Sequence, residues 1–314
     1  MAFDAKLLSG IGVFAAVSDM GNFTNAGAAL GITGSGVSRA ISRLEQRVGA
    51  RLFERSPRAV VLTEEGQRFY NRVKPILEEA EAAASDLVTG QSLVTGRLRI
   101  AADAPSASLV LAGALAALRI SYPQLSVEIV VRDTLNDLVS DGFDAALRFG
   151  DVEAKGLTRI NLANTRILTA AAPALLASTG VPARPQDLNA LPCVLMRDPI
   201  SGSAYPWRFI SVSGNLNVRA AGGILVSDGT TLLAACIEGA GFAQLLEIEA
   251  RSALRSGQLL RCFEEWGEEL YPLALYVSAR SVRPARVDAL IMQLQTRCRS
   301  LIMSGVLVGL DGPA

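Results

Sequence analysis

The chain has 314 residues, 30 Lys+Arg against 30 Asp+Glu and no histidine, so its formal net charge is zero. Half the residues are hydrophobic and 19% are charged, which predicts two or three folded domains and excludes extended disorder. Without histidine there is no imidazole base, no Ser-His or Cys-His nucleophile pair and no imidazole-ligated zinc, which removes most hydrolase chemistry. No metal or cofactor is expected.

The longest apolar run, Leu109 to Leu118, falls well short of the roughly 18 to 20 residues a membrane span needs, so no transmembrane helix is expected. Lys6 ahead of Leu7, Leu8, Ile11, Val13 and Phe14 has the outline of a secretory leader, but Asp4 and the single base argue against one. Cys193, Cys236, Cys262 and Cys298 are widely spaced among apolar neighbours and predict buried free thiols in a reducing cytosol. A redox-sensing pair is the alternative, with no spacing to support it.

In chain order, residues 1 to 62 read as short helical patterns broken by glycines. A helix over about Thr24 to Leu30 stops at Gly31, where a missing Cβ permits a left-handed cap. Thr33 or Ser35 caps the next helix, which ends at Gly49. Two helices joined by a short glycine-containing turn make a helix-turn-helix. In the second helix Val37, Ile41, Leu44 and Val48 form one apolar stripe, and Ser35, Ser38, Arg39, Ser42, Arg43 and Gln46 form the opposite face. Short hydroxyls and arginines approach a groove closely and donate to phosphates and guanine edges. Six arginines against Glu45 and Glu54 give residues 33–62 a charge of +4. Arg55 and Arg58, with Val60 to Leu62 behind them, predict a small wing near a DNA backbone. The competing reading is a solvated basic helix in an ordinary bundle.

From Thr63 a capped helix begins, in which Phe69, Val73, Ile76, Ala80, Ala83 and Leu87 recur at spacings of four and three. This seam predicts a two-helix dimer contact, or alternatively packing on its own domain. Pro75 should bend or open the helix. Residues 63–90 carry three bases and six acids, or −3, so the neutral total combines a basic head with an acidic stem. A dimer seam holding two such heads suits an interrupted palindrome in double-stranded DNA.

Beyond residue 93, strands and helices alternate. Leu98, Ile100 and Ala102 alternate with Arg97 and Arg99, a helix-like Leu109 to Ile120 follows, and Val127, Ile129 and Val131 give a second strand. Ala145 to Phe149 is a third. The pattern restarts at Arg166 to Ala172, Cys193 to Met196, Gly223 to Val226 and Phe242 to Leu246, predicting two α/β lobes. Leu273 to Val277 and a helix from Pro284 suit a return to the first lobe.

Phe23-Thr-x-Ala26, Val37-Ser-Arg-x-Ile41, Leu44-Glu45, Gly49, Leu52-Phe-Glu-Arg55 and Leu62-Thr-x-x-Gly66 resemble the LysR-type transcriptional regulators. The likeness continues, more loosely, through Tyr122-Pro123, Gly142-Phe-Asp144, Trp207-x-Phe209 and Gly239-x-Gly241. It implies an N-terminal all-α winged helix-turn-helix domain (1–62), a linker and dimerisation helix (63–92), and an α/β effector domain. That domain is two-lobed and like type 2 periplasmic binding proteins, with lobe I at 93–163 plus 271–304 and lobe II at 164–270. Such proteins self-associate as dimers or tetramers in the cytoplasm and respond to a small-molecule effector. Where the family usually has Gln-Pro, this chain has Gly34-Ser35, followed by Gly36. Base reading should then fall on Ser35, Ser38 and Arg39, within a DNA-binding set of Thr24, Thr33, Ser35, Ser38, Arg39, Ser42, Arg43, Arg55 and Arg58.

In open α/β lobes, ligands bind at strand carboxyl ends and helix N-termini. That places Pro105, Ser106, Thr134, Arg148 and Phe149 on one side of a cleft and Arg197, Ser201 and Thr230 on the other, as the resemblance also implies. Two arginines and several hydroxyls suit a carboxylate effector, although both arginines would serve equally as surface or interlobe ion-pair residues. Two other classes compete. A periplasmic-type solute-binding protein leaves the first 90 residues unexplained. For an enzyme, Gly34-x-Gly36-x-x-Arg39 lacks the strand and third glycine of a dinucleotide site.

Overall fold

The computed structural model describes residues 5–55, 60–89, 94–132, 138, 141–151, 156–199, 201–211, 214–220, 222–266, 269–279 and 283–310. Arg58 and Thr134, and the side chains of Arg55, Ala83 and Leu87, lie outside the described residues. Two compact units divide the chain, with the main break between Gly96 and Arg97.

The first unit holds α1 (Ala5–Met20), α2 (Phe23–Leu30), α3 (Gly34–Val48), β1 (Phe53–Arg55), β2 (Val60–Leu62) and α4 (Glu64–Thr89). Asn22 caps α2, its side chain accepting from Thr24 N at 2.7 Å, so this helix opens one residue before Thr24. Gly31 and Gly49 end α2 and α3 in the left-handed region, at φ 67° and 72°. Ile11, Phe14 and Val17 of α1 pack with Ala26, Val37, Ile41, Leu44, Leu52, Phe53 and Val73 in one apolar core. Of the leader-like apolar residues, Ile11 and Phe14 are core, Leu7 and Val13 pack against it half-buried, and Leu8 is exposed; a fully buried side chain of this kind is worth about 1.5 to 3 kcal/mol. The wing pairs antiparallel, Phe53 opposite Leu62. Its entry is held by Glu45, whose Oε1 accepts from Leu52 N at 2.8 Å.

The linker helix starts inside this core. Thr63 Oγ1 accepts from Gly66 N at 2.9 Å and donates to the Arg51 carbonyl at 2.7 Å. A Cβ on Gly66 would lie 2.0 Å from the Leu52 oxygen, which is why glycine stands there. Phe69 stacks against Phe14 at 5.3 Å between centroids, and Asp19 accepts from both Tyr70 and Lys74. The helix continues through Pro75 without interruption.

The second unit begins with β3 (Gly96–Ala102), a π-helical turn at Ser106–Leu111, α5 (Ala112–Ser121), β4 (Leu125–Val131) and β5 (Ala145–Phe149). It continues with β6 (Leu157–Ala171), α6 (Pro173–Thr179), β7 (Cys193–Met196), β8 (Trp207–Ser211), β9 (Gly214–Val218) and β10 (Gly222–Val226). Then come α7 (Gly229–Ile237), β11 (Ala243–Leu246), α8 (Glu247–Arg255), β12 (Leu260–Cys262), β13 (Leu270–Ser278) and α9 (Ala285–Met303). One sheet runs β11-β6-β13-β5-β3-β4, with β12 also on β6. β3 and β5 are parallel, and β13 returns antiparallel between β5 and β6, with α9 packed on α5.

β6 is the member that joins the lobes. Its first ten residues pair with β13, and its last ones pair with β11 and β12. The sequence pattern places a new strand only at Arg166, because Arg159, Asn161 and Asn164 interrupt the apolar alternation of what is one strand. The β8–β9 hairpin and β12 are also absent from the sequence reading. Val131, assigned inward by period, is 56% exposed at the β4 edge. The second lobe packs around Leu168, Val194, Leu232, Leu245 and Leu259, and around Leu188, Trp207, Phe209, Val218 and Phe242.

Candidate functional site

Two surfaces carry candidate function. On the N-terminal unit, Thr33 caps α3 by accepting from Gly36 N at 3.1 Å, and the buried stripe Val37, Ile41 and Leu44 turns the other face outward. Ser35, Arg39 and Arg43 on that face are exposed, and Ser38 and Ser42 are half-buried. Thr24 and Thr33 are exposed beside them at the starts of α2 and α3. Arg39 Nε donates to the Ser35 carbonyl at 3.4 Å, folding its stem along the helix. The result is a hydroxyl and guanidinium surface on a firmly packed helix, the chemistry that contacts phosphates and base edges.

The expected linker seam is divided. Phe69 and Val73 pack into the core of their own head, as in the alternative reading of the stripe. Ile76, 51% exposed, and Ala80 face outward.

In the second unit, the loop after β3 is organised by a residue the sequence reading passes over. Asp103 is buried, and its two carboxylate oxygens accept from Ser106 N at 2.8 Å and Phe149 N at 2.7 Å. Burial raises its pKa, against those hydrogen bonds and the nearby charge of Arg148. Ser106 is fully buried and its hydroxyl donates to the Leu147 carbonyl at 2.8 Å. In this position it braces the loop, with its proton already used. Phe149 is likewise buried. Pro105 stands half-buried at the lip.

Arg148 stands near the end of β5. It is half-buried, donates to the Arg132 carbonyl at 3.3 Å, and its charge acts on Asp103 and Tyr271 as well as on Tyr205 of the second lobe. Tyr271 lies over Gly150, where a Cβ would come within 2.4 Å of its hydroxyl, and burial pushes its pKa up to about 12. Across from them, Arg197 and Ser201 are used in their own turn: Arg197 Nε donates to the Gly202 carbonyl at 3.2 Å and Ser201 Oγ to Asp198 at 2.6 Å. Thr230 is exposed in the first turn of α7, behind its cap Asp228, which accepts from Thr231 N at 2.8 Å.

Glu249 is the second residue missed. Its carboxylate lies against Gly229, where a Cβ would meet Oε1 at 2.8 Å. Burial, then the carboxylates of Asp103 and Asp228, push its pKa up to about 7. Asp103 was findable in sequence, because an acid three residues before a helical serine is a cap pattern. Glu249, Tyr205 and Tyr271 were not, since their neighbours are distant in the chain. The four thiols are buried, which raises Cys193, Cys236 and Cys298 to about 12 and Cys262 to about 11 and disfavours the reactive thiolate.

A winged helix-turn-helix in the same chain as a two-lobed α/β domain defines a ligand-responsive DNA-binding regulator. The chain belongs to the LysR family of transcriptional regulators. Residues 8–67 match the bacterial regulatory helix-turn-helix protein, lysR family, and residues 91–299 match the LysR substrate binding domain. It is 31% identical to the uncharacterized HTH-type transcriptional regulator YcaN of Escherichia coli, over 92% of this chain and 95% of that one. A putative transcriptional regulator of Pseudomonas aeruginosa is 34% identical, over 88% of this chain and 92% of that one. Among solved structures, CrgA, a LysR-type transcriptional regulator from Neisseria meningitidis, aligns at TM-score 0.59 and 25% identity, covering 95% of this chain and 99% of that one. The helix-turn-helix match disfavours a solute-binding protein without a DNA role. No helix among the described residues is long and apolar enough to cross a membrane.

Proposed function

We propose that residues 1–62 read DNA, that 63–92 join two copies, and that 93–163 with 271–304 and 164–270 form the two lobes of the effector cleft. In this reading Thr24, Thr33, Ser35, Ser38, Arg39, Ser42 and Arg43 contact the duplex, with Arg55 and Arg58 of the wing on its backbone. The protein acts in the cytoplasm by binding rather than catalysis. A dimer or tetramer spans the two half-sites of an interrupted palindrome, with Ile76 and Ala80 on the outward seam of the linker.

The effector is a small carboxylate held by Arg148, with Pro105, Tyr205, Tyr271 and Thr230 around it. The observation that carries this reading is the position of Arg148, half-buried and acting electrostatically on groups of both lobes. Closing the lobes on a carboxylate at Arg148 would shift the equilibrium between conformers, as any ligand with differential affinity does.

Two measurements on the full chain test it. Arg39→Ala should weaken binding to duplexes selected by the wild-type protein by roughly 1 to 3 kcal/mol, and an unchanged footprint overturns the DNA-facing assignment. Small carboxylates that raise the melting temperature of the wild type should fail to raise that of Arg148→Ala. An equal shift in both proteins removes Arg148 from the site.

A further inference from the structure

The first turn of the recognition helix carries two glycines whose presence the fold does not explain. The other head glycines divide into those the chain must have and those it need not. Gly21, Gly31 and Gly49 lie in the left-handed region, which L side chains rarely adopt. Gly27 and Gly66 face backbone oxygens that a Cβ would meet at 2.7 Å and 2.0 Å. Gly34 and Gly36 satisfy neither condition. Both lie in regular α3 without positive φ. A Cβ at Gly34 would find its nearest neighbour, the Thr24 Cα, at 3.8 Å, an ordinary contact. At Gly36 the nearest atom is the Thr33 hydroxyl oxygen at 3.3 Å, followed by the Ile32 Cβ at 3.9 Å. The head therefore has free room for alanine at Gly34, while at Gly36 the capping Thr33 hydroxyl would have to give by a few tenths of an ångström, and glycine in a helix is weaker than alanine.

Their location on the helix gives the second observation. Gly36, Arg39 and Arg43 are spaced i, i+3 and i+7, which puts them on one stripe of α3, and both arginines are exposed. Gly34, about 200° round the helix from Gly36, lies on the opposite flank of the exposed Ser35 face, beside the exposed Thr24 where α2 meets α3. The bare main chain thus lies at the leading end of the arginine face, the part of a recognition helix that enters the groove first.

We infer that Gly34 and Gly36 are affinity- and specificity-determining positions for DNA: they leave a notch in which the duplex packs against the α3 main chain, closer than any Cβ would allow. The inference rests on α3 being the DNA-facing helix. The notch sets how deeply α3 seats, and so which base edges Ser38, Arg39 and Arg43 reach. Any side chain at these positions lifts the helix away from the bases while leaving the arginines their phosphate contacts. Selective binding is lost before general affinity for duplex.

The test uses the full chain and two probes: duplexes enriched by the wild-type protein from a random-sequence pool, and the unselected pool itself. Gly34→Ala should raise the melting temperature of the head, Gly36→Ala should leave the head folded, and each should weaken binding to the selected duplex by roughly tenfold or more, with a smaller loss on the unselected pool. Gly12→Ala is the control, because a Cβ on that α1 glycine has nothing within 4 Å. It should stabilise the head and leave both affinities unchanged. Wild-type affinity for the selected duplex in both glycine variants overturns the inference. So does a lowered melting temperature of Gly34→Ala, which would mean that the fold itself needs that glycine. Arg39→Ala separates the two levels. If it too binds like the wild type, the DNA-facing assignment of α3 falls, whereas a loss in Arg39→Ala alone overturns only the role of the glycines.

Discussion

The two units of the chain treat charge in opposite ways. In the head, the buried residues described are apolar, and the arginines of α3 stand outside that core. In the effector domain, Asp103, Glu269 and Arg286 are buried, and Asp144 and Glu249 are nearly so. A head of this kind keeps one shape whatever the solvent, and presents its charge to a partner. A domain with ionisable groups inside has a conformational energy that depends on pH and on any charge that enters the cleft. The difference suits their tasks, since the reading surface has to be constant and the sensing domain has to respond.

The largest expected effect breaks the buried pair directly. Arg286 donates to Asp144 at 3.0 Å with both side chains almost fully buried, and Asp144 also accepts from Arg99 N at 2.9 Å. Asp144→Ala removes the carboxylate paired with this buried guanidinium and should destabilise the effector domain by about 3 to 5 kcal/mol. Chemical denaturation of the full chain checks it, with the head and effector transitions followed separately. A loss in the head transition would contradict the independence of the two units.

Next comes Glu249, whose folded-state pKa near 7 lies above its ordinary 4.5. Between those values the folded chain binds more protons than the unfolded one, so effector-domain stability falls as pH rises through this window. The penalty is complete above about pH 7, where it is on the order of 3 kcal/mol, and absent below the ordinary carboxylate range. Glu249→Gln should remove most of that slope. A wild-type effector transition with no slope between these pH values would show that Glu249 is solvated.

How far the sequence reveals each unit follows from the same contrast. The helix-turn-helix is legible because its determinants are local: Gly31 and Gly49 stop helices, Thr33 caps one, and Val37, Ile41 and Leu44 recur within fifteen residues. In the effector domain the recognisable residues prove to be structural. Asp144 sits in a buried ion pair, Trp207 and Phe209 are core, and Gly241 lets its strand approach Cys193, whose Cα a Cβ there would meet at 2.9 Å. They identify the fold and say little about the ligand. The cleft groups Asp103, Tyr205, Glu249 and Tyr271 come together from four distant segments, and no periodicity links them. Ser106 stands after a strand, the place of a ligand contact, and the π-helical turn points its hydroxyl back at the Leu147 carbonyl, a bond that no sequence pattern reveals.

Close packing gives the head its own large-effect test. Gly66→Ala would drive a Cβ to 2.0 Å from the Leu52 oxygen, forcing apart α4 and the wing entry. The head should lose about 1 to 3 kcal/mol, with no change in the effector transition. Retained stability would mean that α4 can shift on the core without cost, and would undo the constancy ascribed to the head.

The smallest effect tests whether head devices are local and independent of pH. Thr33 Oγ1 accepts from Gly36 N and shares a hydrogen bond with the Ser35 hydroxyl, and no ionisable group is engaged in either bond. Thr33→Ala removes the cap and should cost the head about 1 kcal/mol, which for a domain of this size lowers its melting temperature by roughly 4 to 8 °C. Because the loss involves no titrating group, it should be the same at about pH 5.5 and about pH 8, in contrast to the Glu249 difference over that interval. The first turn of α3 also carries Ser35, so fraying there should weaken DNA binding about fivefold. If stability falls while affinity stays at the wild-type level, the duplex itself restores the turn on binding, and the head is less rigid in the free state than its packed core implies.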